Sequence, residues 1–359
     1  MNDIQHKILE IYAYFQAICQ RHDLRYYAEG GTKMGAVLYQ GFIPWDDDLD
    51  VVMPLADYDR FIAIMKEQGA GPYELLGRKD LIKLHAPETA FIHYDALLDD
   101  SRLTGIYIDI APMVGTPAES DQRQGFVRDL SELIAEYRIE SVHGGSSARL
   151  GKIEKQIDRL RQRYDFDTSE YVCHGATPEK ETFARDSFVE TSDMAFETMT
   201  IPVLVGYHAQ LLQQYGSYSL NPPGSRRVQH ADWSFASTQI SYRDKMAGDS
   251  ADLYIAGYQH AMRMLGQLRR AMHKQMLTDS GWQMSGHHGD QSRAHLDFLL
   301  ERRWFHALFV DRSGVPRWAV RRILFHSDGR VRPRFRSFVR RHSGSPAAPF
   351  YLWVRRPAA

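Results

Sequence analysis

Between Pro44 and Met53 the chain sets Asp46, Asp47, Asp48 and Asp50 directly before the apolar run Val51-Val52-Met53. A strand alternates its side chains with period 2, which predicts Asp46, Asp48 and Asp50 on one face. Neighbours on such a face stand about 6.5 Å apart, a gap that a shared hard cation closes. Without one, the acids repel and raise each other's pKa values. Mg²⁺ or Mn²⁺ is the expected remedy, because both take oxygen ligands and commonly carry a phosphate with them. Upstream, Gly30-Gly31-Thr32 opens an expected short helix through Val37, after a strand expected over 24–28. Strand, glycine turn and helix start together make an anion site, since free backbone N–H groups point outward there. The Thr32 hydroxyl can add a donor to a phosphate oxygen.

Other readings of the acidic run fare worse. A calcium loop of EF-hand type needs Gly at its sixth position and Glu at its twelfth. Counted from Asp46, those positions hold Val51 and Asp57. A solvated acidic loop conflicts with Trp45, Leu49 and the valines that follow.

Gly-Gly-Thr, a helix turn, GFIPWDDDLDVVMP and then Tyr58 and Phe61 resemble the signature of the LicD family. Its members are phosphocholine transferases of bacterial surface glycans, and the animal fukutin-related proteins are distant relatives. The resemblance implies the nucleotidyltransferase superfold, with the glycine turn cradling the donor phosphates. Gly30, Gly31, Thr32 and Lys33 are then donor-binding, and Asp48 and Asp50 hold the metals, with Asp46 one step removed or as an alternative ligand. The element GIYIDIAPM matches the family's later strand and makes Asp109 the third carboxylate. A second matching block includes Phe196-Glu197, Ile201-Pro202, Tyr215-Gly216, Pro222-Pro223 and His230. The likeness covers roughly 5–235. It departs from the family at Leu38, where a basic residue is usual, at Tyr39-Gln40, and at Lys33, where an apolar one is.

Read from the residues alone, Asp109 sits in an apolar strand expected over 104–110, on the face opposite Ile106, Ile108 and Ile110. An acid there needs a partner. Arg226, Arg227 and His230 follow a Pro-Pro-Gly turn, where a phosphate can be met.

Charge is balanced overall, at a formal net of -1, which argues against a nucleic-acid partner. The balance hides an asymmetry. Residues 301–359 carry 14 Arg and three acids, a net of +11, which leaves -12 for the rest. With Trp318, Phe335, Phe338 and Trp353 among its arginines, this tail suits an anionic membrane surface. Gly314, Gly329 and Gly344 mark a 15-residue repeat in it. Two cysteines, no basic-then-apolar leader and no long apolar run lead to the expectation of a cytoplasmic protein, peripheral on the inner membrane at most.

The expected fold class is α+β: a nucleotidyltransferase-like mixed sheet flanked by helices, with a mostly helical, arginine-rich C-terminal region. Expected domains are 1–235 (catalytic), 236–300 (a helical extension with a long helix over 251–276) and 301–359 (the basic tail). Helices are expected over 3–21, 57–68, 119–138, 148–164 and 204–215, a strand over 91–98, and irregular chain over 71–84. His174 beside Cys173 offers two ligands, short of a metal site.

The expected reaction is metal-dependent transfer of a phospho-linked group from a CDP-linked donor to a hydroxyl of a glycan or lipid-linked glycan acceptor, with CMP leaving. Asp109 deprotonates that hydroxyl or completes the metal shell. The alternatives are nucleotidyl transfer, which releases pyrophosphate, and a catalytically degenerate scaffold of glycan assembly.

Overall fold

The structure is a computed structural model that describes residues 1–77, 79–94, 103–142, 147–179, 181–220, 234–248, 252–253 and 256. The chain divides into two compact units, 1–93 with 99–245 and 94–98 with 246–359. The elements that carry the site belong to the first unit. Apart from residues 252, 253 and 256, the helix expected over 251–276 lies outside the described residues, as do the tail repeats, Arg226, Arg227 and His230.

Helix α1, Asp3–His22, follows the apolar period of Ile8, Ile11, Tyr12, Phe15 and Ile18, all buried. Asn2 caps it reciprocally: Asn2 Oδ1 accepts from the Gln5 N–H at 2.8 Å, and Gln5 Oε1 accepts from the Asn2 N–H at 3.0 Å. The expected strand over 24–28 shrinks to β1, Tyr27–Ala28. Leu24 and Tyr26 are apolar because they are buried in the core, not because they join a ladder. Then come α2, Gly30–Tyr39, β2, Asp50–Pro54, and α3, Leu55–Gln68.

Residues 71–84 are not irregular. They hold β3, Glu74–Gly77, and β4, Ile82–His85, paired antiparallel. Strand β5 spans Ala90–His93, with 95–98 of the strand expected over 91–98 outside the described residues, and β6, Tyr107–Thr116, begins later and runs further than expected. Helices α4, Ser120–Val142, and α5, Ser147–Arg161, follow, then β7, Tyr171–His174, and β8, Thr182–Ala184. The hairpin of β9, Thr191–Phe196, and β10, Met199–Leu204, takes up the first residue of the helix expected over 204–215, so α6 spans Tyr207–Tyr215. Strand β11, Ser234–Ser237, pairs with β5.

Strand β6 is the axis of a mixed sheet ordered β1-β2-β6-β4-β3. One edge pairs in parallel with β2; the other pairs antiparallel, first with β4 and then with β7. Both faces are covered, which is why nearly every β6 residue is buried and Asp109 is the half-buried one. One face packs on α1, α3 and the β9–β10 hairpin through Phe15, Phe61, Leu84, Ile108 and Phe196. Beyond it, α4 and α5 close on Val114 and Cys173 through Phe126, Leu130, Ile134, Ile153 and Ile157. Among the described residues no helix is long and apolar enough to cross a membrane.

Phe15 packs edge-on against Tyr26 at 4.9 Å and Phe61 at 5.2 Å between ring centroids, with no exposed surface. Replacing it leaves a cavity that these rings cannot collapse into. Phe15→Ala should therefore lose about 3–5 kcal/mol of stability, read from urea unfolding followed by fluorescence; a loss under about 1 kcal/mol would place the core elsewhere.

Candidate active site at the start of strand β2

The acidic run does not extend as a strand from Asp46. The Asp46 N–H donates to the Ile43 carbonyl at 2.8 Å and closes a turn after Pro44-Trp45, so the ladder starts only at Asp50. The period-2 alternation expected for Asp46, Asp48 and Asp50 is thus replaced by a turn running into a strand. The acids still gather. Gln5 Nε2, from the cap of α1, donates to the Asp46 carbonyl at 2.8 Å and ties the turn to the core. The Asp50 N–H donates to Thr32 Oγ1 at 2.8 Å, and the Asp50 carbonyl accepts from the Glu29 N–H at 3.0 Å. Parallel pairing sets Asp50 directly opposite Asp109, whose N–H donates to the Leu49 carbonyl at 2.9 Å.

Burial holds the Asp50 carboxyl well above the usual carboxylate range, and the charges of Asp48, Asp109 and Asp46 push it the same way. Asp46 is raised in turn by burial and by Asp48, with which it shares a side-chain hydrogen bond. Burial is the larger cause of both shifts, and the charges of the neighbouring carboxylates add to it.

The glycine pair explains how they fit. Gly30 has φ +51°, a left-handed backbone that a side chain strains, and the Tyr215 hydroxyl and Asp50 Oδ2 both lie over it. A Cβ on Gly31 would stand 2.6 Å from Asp46 Oδ2. The absence of a side chain there lets the Asp46 carboxylate come down onto the first turn of α2, where a helix favours negative charge. Thr32 is buried, with its oxygen accepting the Asp50 N–H.

Lys33 has no exposed surface. Its ammonium lies 3.2 Å from Glu29 Oε2 and donates to Gln210 Oε1 at 2.7 Å. Lys33, expected to contact the donor, is instead enclosed by these partners and braces α2 against α6 from inside. Gln214 donates to the other Glu29 oxygen, and Gln210 donates to Ser187 Oγ at 3.1 Å. Burial works against the Glu29 charge, but Lys33, His174 and these bonds outweigh it and hold its pKa below the ordinary value. His174 is no metal ligand beside Cys173: its Nδ1 accepts the Ala176 and Thr177 N–H groups at 3.1 Å each, and Cys173 is a buried free thiol.

Lys83 was not foreseen. It faces Asp109 across the antiparallel β4–β6 register, with its Nζ 2.9 Å from Oδ1 and 3.2 Å from Oδ2. The same ammonium sits 3.1 Å above the Tyr107 ring, whose hydroxyl is bonded to His93 Nε2 at 2.7 Å. Its signal in the sequence was a single base alternating with Ile82 and Leu84, inside a stretch otherwise read as irregular.

The clustered acids are all carboxylate, the ligand type a hard divalent cation takes, and Asp46 comes down where a Gly31 Cβ would stand. Among the described residues, no three His, Cys, Asp or Glu side chains are already arranged to hold one. A separate cavity of about 680 Å³ lies between α3, β3, β4, α4 and α5, bordered by Tyr58, Lys79, Asp158 and Arg161 and by none of the four acids. Its charges largely answer one another, Lys79 lying 2.7 Å from Asp158.

Residues 23–132 match the family model for the LicD/FKTN/FKRP nucleotidyltransferase domain. The chain is similar to the lipopolysaccharide cholinephosphotransferase LicD of Haemophilus influenzae, at 25% identity over 249 residues, which cover 62% of this chain and 92% of that protein. It is also similar to an uncharacterized protein of Rickettsia typhi, at 30% identity over 92 residues, 22% of this chain and 30% of that one.

Behind α2, burial and the Glu29 charge push Glu181 up from 4.5 to about 8. A carboxyl whose folded pKa is raised contributes stability that is full below its unfolded value and lost as pH rises through the folded one. The loss here falls between about 4.5 and about 8. Glu181→Gln should leave the melting temperature at about pH 5 nearly unchanged and raise it above wild type at about pH 9; parallel melting curves at both pH values would discount this network.

Proposed function

From the LicD/FKTN/FKRP nucleotidyltransferase domain carried by residues 23–132, we propose that this protein transfers a phospho-linked group, phosphocholine or a similar polyol phosphate, from a CDP-activated donor to a hydroxyl of a cell-surface glycan. The observation that carries the reading is the register of Asp50 against Asp109 beside the N-terminus of α2, with Asp46 and Asp48 drawn in from the turn. The name of the Haemophilus relative supports phosphocholine and a lipopolysaccharide acceptor.

Asp48, Asp50 and Asp46 would hold Mg²⁺ or Mn²⁺, with Asp109 beside them. Such an ion supplies charge neutralisation for the attacking and leaving oxygens when bound. The remaining work belongs to the chain. Backbone N–H groups of the Gly30-Gly31-Thr32 turn receive the donor's phosphate oxygens, as helix starts do. Asp109 accepts the proton of the acceptor hydroxyl. The acceptor oxygen bonds to the distal phosphorus as its bond to the CMP oxygen breaks, and CMP departs with that electron pair. The Glu29–Lys33–Gln210 brace holds the turn at its height over β2.

Incubation of the purified chain with CDP-choline, CDP-glycerol and CDP-ribitol, an acceptor glycan and Mn²⁺ tests this directly. CMP released only when acceptor is present supports the reading. Pyrophosphate released from a nucleoside triphosphate instead would move it to nucleotidyl transfer. Absence of both products would favour a scaffold.

Two substitutions extend the test. Asp50→Ala should abolish CMP release and metal-dependent donor binding while the metal-free fold stays as stable or gains stability, since a repelling charge is removed. Asp109→Asn should lower kcat by about 10²–10⁴-fold with donor KM little changed if it is the base. Equal loss in both parameters would place Asp109 among the metal ligands.

A further inference from the structure

Asp50, Asp109 and Lys83 occupy directly opposed positions on β2, β6 and β4, and so form one row across three neighbouring strands. Cross-strand partners of this kind share a face of the sheet. Tyr107, two residues before Asp109, shares that face too. The Lys83 ammonium is therefore clamped between an aromatic face and a carboxylate, 3.1 Å from the ring centroid and 2.9 Å from Asp109 Oδ1. Both partners are largely withdrawn from water, with 14% and 18% of their side-chain surfaces exposed. The ring cannot swing aside freely, because its hydroxyl is bonded to His93, and His93 Nδ1 is bonded to Ser234 Oγ at 2.9 Å.

A carboxylate beside three others is costly when buried without a cation. Lys83 supplies one positive charge in that place, and it opposes the upward pressure on Asp50 as well. A divalent ion held by the same acids would supply two. The two cations cannot share the Asp109 oxygens at hydrogen-bond and ligand distance without repelling each other strongly. An ammonium on a flexible four-carbon stem can leave; a strand-borne carboxylate cannot.

We propose that Lys83 is the site's built-in counter-cation, holding Asp109 while no metal is bound and yielding it when a divalent cation enters, so that the Lys83–Asp109 pair and metal occupancy exclude each other. This rests on the reading that the aspartates hold a metal. Coupling of this kind is reciprocal: whatever the ion does to the pair, the pair does to the ion's affinity. Lys83 thus stabilises the metal-free protein and weakens the metal, which keeps the ion exchangeable.

The test uses the full chain, stripped with a chelator and titrated with Mn²⁺, as wild type, Lys83→Met and Lys83→Arg. Melting temperature and Mn²⁺ affinity by calorimetry are the readouts, and neither requires turnover. Metal-free Lys83→Met should melt below wild type, bind Mn²⁺ about 10-fold tighter, and show a larger Mn²⁺-induced rise in melting temperature. Lys83→Arg, which keeps the charge, should stay near wild type. If Lys83→Met unfolds without metal, Mn²⁺ should restore a cooperative melt; failure to fold with Mn²⁺ present overturns the proposal. So does Mn²⁺ affinity in Lys83→Met equal to or weaker than wild type, with wild type binding normally. A wild type that binds no Mn²⁺ at all sinks the metal reading itself, and this inference with it.

Discussion

The repulsion between Asp50 and Asp109, opposite each other on parallel strands, is the constraint around which the first unit is built. Charge of one sign at the centre of a sheet is unfavourable, and other contacts tie the acids and their backbone in place. For Asp50 these are the Thr32 hydroxyl and the Glu29 N–H, which hold its amide and its carbonyl. For the turn carrying Asp46 it is Gln5, whose side chain caps α1 with one end and grips the Asp46 carbonyl with the other. For Asp109 it is Lys83. Helices α1 and α2 and the neighbouring strand β4 thus all contribute restraints to the same acids.

A second group of charges lies behind the first and has the opposite character. Glu29, Lys33, Gln210 and Gln214 form a polar network that links the start of α2 to α6. Burying an ion pair is weak support for stability, but removing one partner is strongly destabilising. Its value here is positional. It fixes the angle at which α2 meets β2, and with it the height of Gly30 and Gly31 beneath the Asp50 and Asp46 carboxylates. A glycine turn that can approach acids this closely is useful only if it is held still. The apolar residue that the LicD resemblance leads one to expect at Lys33 would have to do this by packing alone.

How much of this was legible in the sequence depended on the signal each element leaves. The period of α1 is local and was readable. Asp109 was set beside Asp48 and Asp50 only through the family resemblance, and the geometry expected of the acidic run differs from the one found. Alternation assumed a strand from Asp46, whereas the Asp46–Ile43 bond makes a turn, and that bond follows from chain direction after Pro44 rather than from composition. Strands β3 and β4 were missed because Gly71, Pro72, Gly77 and Asp80 punctuate the stretch and its apolar runs are short. Missing β4 meant missing Lys83. A base between Ile82 and Leu84 is unremarkable until β4 is laid against β6, because only the register reveals which acid it faces. Long-range pairing of this sort leaves no mark in a window of local residues.

The boundaries of the family match carry a physical consequence. The matched segment, 23–132, contains all four carboxylates, the glycine turn and Lys83. It does not contain α1, the β9–β10 hairpin or α6. Yet Ile8, Tyr12 and Phe15 of α1, with Phe196, Ile201 and Val203 of the hairpin, sit in the same core cluster as Leu84, Ile106 and Ile108. Tyr12 ties the two additions together, its hydroxyl donating to the Thr200 carbonyl at 2.9 Å. The face of the sheet behind the acids is therefore closed by chain from both ends, drawn from outside the matched segment. The four carboxylates and the glycine turn thus fall in about a third of the sequence, while the core behind them draws on helices and strands from either side of it.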